Sequence, residues 1–177
     1  MTIETPNSDA GPWLPVDFVH PTRLDLPTGH HLRPIRADDI DLDYPAVMGS
    51  QRRLWEIFGE AWGWPPETMS YEADRDDLAR HEREIEAHES FNYAILDADE
   101  QALLGCVYID PPEFDGADAE ICWWIVDAMV GSDLEEVLEI AVPVWIARQW
   151  PLHRPRYIGR DLTWAEWLER AGPEPSG

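Results

Sequence analysis

The segment Val130-Gly131-Ser132-Asp133-Leu134-Glu135-Glu136 decides the fold. It follows a strand-like run over residues 119–126 and opens an apolar helix that we predict from about Asp133 to Trp150. A strand, a short glycine-containing loop and a helix N-terminus form an anion site, because free N–H groups and the positive end of the helix dipole face the ligand. Here the site carries carboxylates. Its geometry favours a phosphate-bearing cofactor, and its charge opposes one.

Strand and helix patterns alternate in the rest of the chain, which predicts an α/β or α+β layered fold. Thr163 and Glu166 have the spacing of a capping box for the last helix. One domain is predicted over residues 17–172, between a flexible arm (1–16) and a short tail (173–177). The predicted elements are an edge strand within 17–27, a strand at 31–36, helices at 42–58 and 71–87, a loop at 59–66, strands at 91–96, 102–109, 119–126 and 156–159, and a helix at 164–171.

The acidic composition restricts the possible partners. The formal net charge is −23 over 177 residues. This charge argues against nucleic acid and anionic membrane surfaces, which need Lys and Arg, and it attracts a cationic small molecule or a basic protein surface. A solubility adaptation without a specific partner is the alternative. Because no signal peptide or membrane span is recognisable, a cytoplasmic protein is expected.

Two groups of side chains leave structural and functional interpretations open. Trp62 and Trp64 lie on the predicted loop, where they either form a binding lip or cover the core. His81, Glu84 and His88 share one face of the predicted second helix. They could hold a metal, but ordinary pairs on a solvated face are the favoured interpretation, so no metal site is predicted.

The order of elements resembles that of the GNAT superfamily of acyl-CoA-dependent N-acetyltransferases. The run 31–39, His31-Leu32-Arg33-Pro34-Ile35-Arg36-Ala37-Asp38-Asp39, resembles the first strand and turn of the family. Gly105-Cys106-Val107 resembles its third strand, and Asp161 with Leu168 and Gly172 matches a spacing in its last segment. The resemblance implies a mixed, mostly antiparallel sheet with helices on both faces. The family's final two strands have no counterpart after residue 172, and the open sheet edge makes a homodimer possible.

The resemblance implies acetyl-CoA as the cofactor, with an altered diphosphate loop. Asp133 and Glu135 fall where the family has glycines, so their side chains would obstruct the phosphates and repel them. The shortened chain is therefore expected to have a degenerate pyrophosphate loop and weakened acetyl-CoA binding. The expected cofactor contacts are Val130, Gly131 and Ser132 in the loop, Trp124, Ile125 and Val126 on the strand, and Asp161.

The resemblance also implies a general base on the fourth main strand, where Glu120 stands. An ammonium must lose a proton before it attacks a thioester. The alternative is a solvent-facing glutamate. Two hypotheses follow. One is an N-acetyltransferase for a small cationic amine held near Trp62, Trp64 and Tyr93. The other is a non-catalytic GNAT-fold module that binds a ligand or protein and has lost coenzyme A binding.

Overall fold

A single six-stranded sheet forms the centre of the computed structural model, which describes residues 11–172. The strands lie side by side in chain order, and neighbours are antiparallel except for the parallel last pair. The predicted mixed, mostly antiparallel sheet is confirmed. The strands are β1 (Leu24–Asp25), β2 (His31–Pro34), β3 (Phe91–Leu96), β4 (Leu103–Asp110), β5 (Ala119–Ile125) and β6 (Pro155–Tyr157).

Helices cover both faces of this sheet, as predicted. Cys106 on β4 faces the buried Asp43 of the first helix, whereas Tyr93 on β3 packs against Trp145 of the fourth helix on the other face, with ring centroids 4.9 Å apart. The helices are α1 (Ile40–Gly49), α2 (Gln51–Trp62), α3 (Tyr71–Ala87), α4 (Asp133–Gln149) and α5 (Trp164–Ala171), with short 3-10 turns at Ala37–Asp39 and Asp127–Met129.

The region predicted as one helix and a loop is two helices. The chain breaks at Ser50, whose buried hydroxyl accepts the N–H of Asp127 at 2.9 Å and so connects the start of α2 to the end of β5. Helix α2 then continues past Gly59 to Trp62 and ends at Gly63, which adopts a left-handed φ of +61°. The extension is stabilised by the Trp62 ring, which stacks on Phe58 one turn earlier with centroids 4.8 Å apart.

The two predicted termini fall partly outside the described residues. Residues 1–10 of the arm and 173–177 of the tail are not described. Trp13 donates its indole N–H to the Asp118 carbonyl at 2.7 Å, and Leu14 is buried, so packing against the domain begins before residue 17. Within residues 11–172, no strand follows α5, and no helix combines the length and apolarity needed to cross a membrane.

Strands β5 and β6 separate soon after they begin to pair, and this opening positions the site. Pairing runs only from Ala119 to Ile121 on β5, where the Ile121 carbonyl accepts the Ile158 N–H at 2.9 Å. Helix α5 then begins at the Thr163 cap, whose predicted capping box with Glu166 is confirmed. The second half of β5 therefore has one open edge.

Candidate functional site

Two cavities flank the opening between β5 and β6. The first, here called the acidic cavity, has a volume of about 630 Å³, and the second, here called the cleft cavity, has about 440 Å³. Cys122, Ile158 and Trp164 line both cavities, so the two meet where the strands diverge. Ligands in the two cavities would therefore lie on either side of these three residues.

Aromatic rings and carboxylates form the wall of the acidic cavity. The predicted Trp62 and Trp64 both lie in this wall. The Trp62 ring is 5.5 Å from Tyr108 and 5.1 Å from Trp164, so the loop tryptophans and the end of the chain close one side together. The main lining groups are Trp62, Trp64, Tyr108, Trp164 and Trp167, with Asp77, Glu84, Asp110, Glu113 and Glu120.

The structure contradicts the substrate contact predicted for Tyr93. Its ring is fully buried on the opposite face of the sheet, and its hydroxyl donates to the Pro21 carbonyl at 2.6 Å. Neighbouring residues on a strand point to opposite faces. All six residues of β3 are buried, so the sequence pattern does not reveal which face each one takes. Tyr93 lines neither cavity.

Asp110 is the most perturbed carboxyl group of the acidic cavity. It ends β4 directly opposite Glu120 on β5 and accepts the Ser90 hydroxyl at 2.5 Å. Burial, together with the charges of Glu84, Glu120 and Glu113, raises the pKa of Asp110 to about 7. A carboxylate with a pKa near neutrality is suited to general base catalysis. Asp110 lies just beyond the strand predicted at 102–109, and its position beside Glu120 was not predicted because it depends on the register between β4 and β5.

Glu120 lines the same cavity, but both of its oxygens are engaged. Oε1 accepts Nη1 of Arg156, and Oε2 accepts the indole N–H of Trp167, each at 2.7 Å. The Arg156 guanidinium also lies 3.9 Å from the centre of the Phe114 ring. Glu120 thus connects β5 to β6 and α5 and stabilises the cavity wall. Its predicted role as the base stays a prediction.

The remaining acids of the cavity differ in their pairing. Arg80 bonds to both Asp77 and Glu84, and His81 lies between the same two carboxylates at 3.7 and 3.3 Å. Burial lowers the pKa of His81, which favours the neutral ring. Asp110 and Glu113 have no basic side chain in salt-bridge contact within residues 11–172. These two are therefore the carboxyl groups free to meet a cation.

The metal alternative considered for α3 brings together no ligand set. His88 forms its hydrogen bond with His20, at 3.0 Å between ring nitrogens. Over the described part of the chain, no three His, Cys, Asp or Glu side chains are arranged to hold a metal ion.

Trp124, Ile125 and Val126 were all expected to contact the cofactor, but they do not all face the open edge of β5. The Val126 N–H donates to the Leu104 carbonyl at 2.8 Å. Because antiparallel pairs alternate, the backbone of Trp124 also faces β4, and that of Ile125 faces the opening. Trp124 and Ile125 line the cleft cavity, whereas Val126 does not. The Ile125 carbonyl already accepts a hydrogen bond from Arg53, which also bonds to Asp127.

The backbone amides of residues 130–132, just before α4, are satisfied within the loop. Gly131, at a left-handed φ of +77°, donates its N–H to Oε2 of Glu135 at 2.6 Å. The N–H groups of Val130 and Ser132 donate to the carbonyls of Asp127 and Met129. None of the three predicted loop contacts lines the cleft cavity. The Glu135 carboxylate thus occupies the Gly131 N–H, and an incoming anion would have to displace it from that group.

Asp161 also has a local structural role in place of the predicted cofactor contact. Its carboxylate accepts the Tyr157 N–H at 3.2 Å and closes the turn between β6 and α5. The side chain is exposed and lines neither cavity.

A second arginine in the cleft cavity was missed by the sequence analysis. The Arg160 guanidinium lies 3.3 Å from the centre of the Trp123 ring and bonds to both oxygens of Glu139, at 2.8 and 2.5 Å. Glu139 follows Glu135 by one helical turn, and both line the cleft. Arg160 and Glu139 are 21 positions apart in sequence, so no local sequence pattern predicts their contact.

Comparisons with known proteins agree with this architecture. Residues 31–152 match a family model described as an acetyltransferase (GNAT) domain. No curated protein matches the chain in sequence. Three solved structures share the fold at low identity.

One is RimL, a ribosomal L7/L12 alpha-N-protein acetyltransferase in complex with coenzyme A (TM-score 0.63, 16% identity, covering 76% of this chain and 73% of that chain). Another is the ribosomal-protein-S5-alanine acetyltransferase from Vibrio fischeri (TM-score 0.56, 15% identity, covering 80% of this chain and 77% of that chain). A third is the spermidine N-acetyltransferase from Vibrio cholerae in complex with CoA and spermine (TM-score 0.54, 14% identity, covering 73% of this chain and 70% of that chain).

Proposed function

The chain belongs to the acetyltransferase (GNAT) domain family, and from this we propose that it transfers an acetyl group from acetyl-CoA to a small cationic amine. The observation that carries the proposal is the meeting of the two cavities at Cys122, Ile158 and Trp164. An amine in the acidic cavity and a thioester in the cleft cavity would reach each other at this point. A reaction between two bound substrates requires this proximity.

Charge and ring chemistry support a cationic acceptor. Asp110 and Glu113 offer carboxyl groups without a basic partner in the described chain, and the rings of Trp62, Trp64 and Trp164 offer faces for an ammonium. The net charge of −23 raises the local concentration of cations. One similar structure is a spermidine N-acetyltransferase, which agrees with this acceptor class.

Cavity size favours a small molecule over a basic protein surface. The acidic cavity holds about 630 Å³, within the usual range of roughly 300–1,000 Å³ for small-molecule sites. A primary amine with a short alkyl chain and a second cationic group fits this volume, and Asp110 at the strand end and Glu113 in the following loop offer it two carboxyl groups.

Asp110 is the residue that we assign as the base. Its carboxylate would accept one proton from the bound ammonium, which frees the nitrogen lone pair for attack on the thioester carbonyl. The C–N bond would form as the C–S bond breaks, and the thiolate would leave with the second proton of the amine. Acetyl-CoA would supply the activated thioester carbonyl. The Ser90 hydroxyl holds one oxygen of Asp110, and Glu120 holds the adjoining wall through Arg156 and Trp167.

The loop at 130–135 favours the alternative function. Because Glu135 occupies the Gly131 N–H, the chain could be a GNAT-fold module that binds an amine and transfers nothing. The same acidic cavity serves both functions, so amine binding alone does not separate them.

Product formation separates the two functions. The full chain is incubated with a diamine such as 1,5-diaminopentane and with either acetyl-CoA or S-acetylpantetheine, which lacks the diphosphate. Mass spectrometry of the amine is the measurement. A monoacetylated diamine from either donor, in excess of the enzyme-free control, is the expected result. Diamine binding by calorimetry without product from either donor would establish the non-catalytic module.

A further inference from the structure

Helix α4 has a second apolar face, on the side away from the sheet. Its inner side is buried through Leu134, Leu138, Val142, Trp145 and Ile146. The opposite side, here called the outer α4 face, consists of residues that are exposed or half-buried: Val137, Ile140, Pro143, Val144 and Ala147. Ile140 is 70% exposed and Val144 is 42% exposed. A surface helix normally has polar residues opposite the core, so a helix that is apolar on both sides indicates a second contact surface.

Opposite charges lie at the two ends of the outer α4 face. Glu136, Ile140, Val144 and Arg148 follow each other at intervals of four residues, so they form one row along the helix, and all four are exposed. Neither Glu136 nor Arg148 has a salt-bridge partner within residues 11–172. The row therefore contains an acid, two apolar side chains and a base, and it is complementary to the same row in the reverse direction.

We propose that the outer α4 face binds a second copy of this chain, with the two α4 helices antiparallel across a two-fold axis. The axis would place Ile140 against the partner's Val144, and Glu136 against the partner's Arg148. Each contact would then occur twice, as a two-fold interface requires. This inference goes beyond the proposed function and does not depend on acetyl transfer.

The charge order favours a second copy over a basic protein. The chain has 13 Lys and Arg against 36 Asp and Glu, so its net charge attracts basic surfaces in general. Arg148 at one end of the row would repel such a surface, whereas a reversed copy of the row offers it Glu136. The net charges of the two copies repel each other, but salt at about 0.15 M screens charges that lie more than about 8 Å apart. One helix face is a small interface, so we expect a weak, concentration-dependent dimer.

Sedimentation equilibrium of the full chain over a wide range of protein concentration tests the surface. The wild-type protein should show an equilibrium between monomer and dimer. Ile140→Glu places a carboxylate at the centre of the interface in both copies, so it should weaken the dimer by roughly 100-fold or more. Val19→Glu is the matched control, because Val19 is 81% exposed outside α4, and it should leave the dimer unchanged. Circular dichroism should show that both variants are folded.

Exchange of the two charges tests the antiparallel arrangement. Glu136→Arg alone should weaken the dimer by about tenfold, although it reduces the net negative charge, and Arg148→Glu alone should weaken it similarly. The double variant should restore wild-type dimerisation. Positions 136 and 148 are roughly 18 Å apart along one helix, so the restoration can arise only between two chains. Glu86→Arg, at an exposed position of α3, changes the net charge by the same amount and should not weaken the dimer.

Three results would overturn the inference. The first is a monomer at every concentration, which is also what a cover formed by residues 1–10 or by a different protein would give. The second is a dimer that Ile140→Glu leaves intact, which would locate the interface elsewhere, such as at the open sheet edge. The third is a double charge variant that dimerises no better than either single variant, which would contradict the antiparallel pairing.

Discussion

The acidic cavity and the cleft cavity share three lining residues but differ in whether their carboxylates are paired. In the cleft, Glu139 is paired with Arg160, and Glu135 with the Gly131 N–H. In the acidic cavity, Asp110 and Glu113 have no basic partner within the described residues, and the pKa of Asp110 rises to about 7. A cavity with unpaired acids is suited to proton transfer with a cation, and a cavity with paired charges must exchange a partner before it binds an anion.

The largest effect is expected from removing the carboxylate of Asp110. Asp110→Asn keeps the shape of the side chain but cannot accept a proton, so the rate of diamine acetylation should fall by roughly 10²- to 10⁴-fold. The assay is mass spectrometry of the acetylated amine. Glu113→Gln, which lines the same cavity, should retain most of the rate. A wild-type rate in Asp110→Asn would remove this residue as the base.

The main effect of Glu120→Gln should be a lower free energy of unfolding. The change leaves the Arg156 charge without its partner in a nearly buried position, where side-chain exposures are 12% and 7%. Loss of one partner of a buried pair costs about 3 kcal/mol of unfolding free energy. Urea denaturation is the measurement. An unchanged midpoint together with a large loss of turnover would instead support Glu120 as the base.

Helices α1 and α3, which pack together, contain two buried carboxyl groups that have no basic partner among the described residues. Asp43 and Asp74 are buried together, and burial raises the pKa of Asp74 to about 6. Because the folded-state pKa of Asp74 lies above its unfolded value, the contribution of this group to stability is greatest below about pH 4 and is lost as pH rises through 6.

Asp74→Asn should therefore raise the unfolding free energy at pH 8 by about 2 kcal/mol, and by little at pH 4. Thermal denaturation at the two pH values is the measurement. Asp76→Asn, at an exposed position of the same helix, provides the control and should shift neither value. Equal shifts of Asp74→Asn at both pH values would contradict the titration of this group.

The smallest effect is expected at the start of α4. Glu135→Gln removes a negative charge from the mouth of the cleft but keeps an oxygen that can accept the Gly131 N–H. Coenzyme A affinity should rise about threefold, because the removed charge is screened and partly exposed. Calorimetry is the measurement, and Glu136→Gln is the exposed control. An unchanged or lower affinity would contradict repulsion between Glu135 and the cofactor.

The sequence analysis succeeded where a local pattern carries the information. Helix α3 agrees with the prediction at both ends, and the capping box at Thr163 is present. The predictions were wrong where contacts between residues distant in sequence set the ends of a helix. The break at Ser50 depends on Asp127, and the extension of α2 depends on ring stacking between Phe58 and Trp62.

The site residues divide in the same way. Trp62 and Trp64 line a cavity, but Tyr93 faces the opposite side of the sheet. The sequence did not reveal this orientation because every residue of β3 is buried, so its two faces look alike. Arg160 and Asp110 were missed because their significance comes from partners that the fold brings near. The homodimer expected from the open sheet edge stays a prediction.

The pH dependence of kcat/KM for diamine acetylation tests most directly whether the acidic cavity performs proton transfer. In the wild-type protein, kcat/KM should rise with pH and level off above an inflection near 7, the pKa of Asp110 in the free protein. In Asp110→Asn that inflection should disappear, and the residual rate should continue to rise toward the amine's own titration near pH 10. The same inflection in wild type and variant would contradict the assignment of Asp110 and, with it, the role of this cavity.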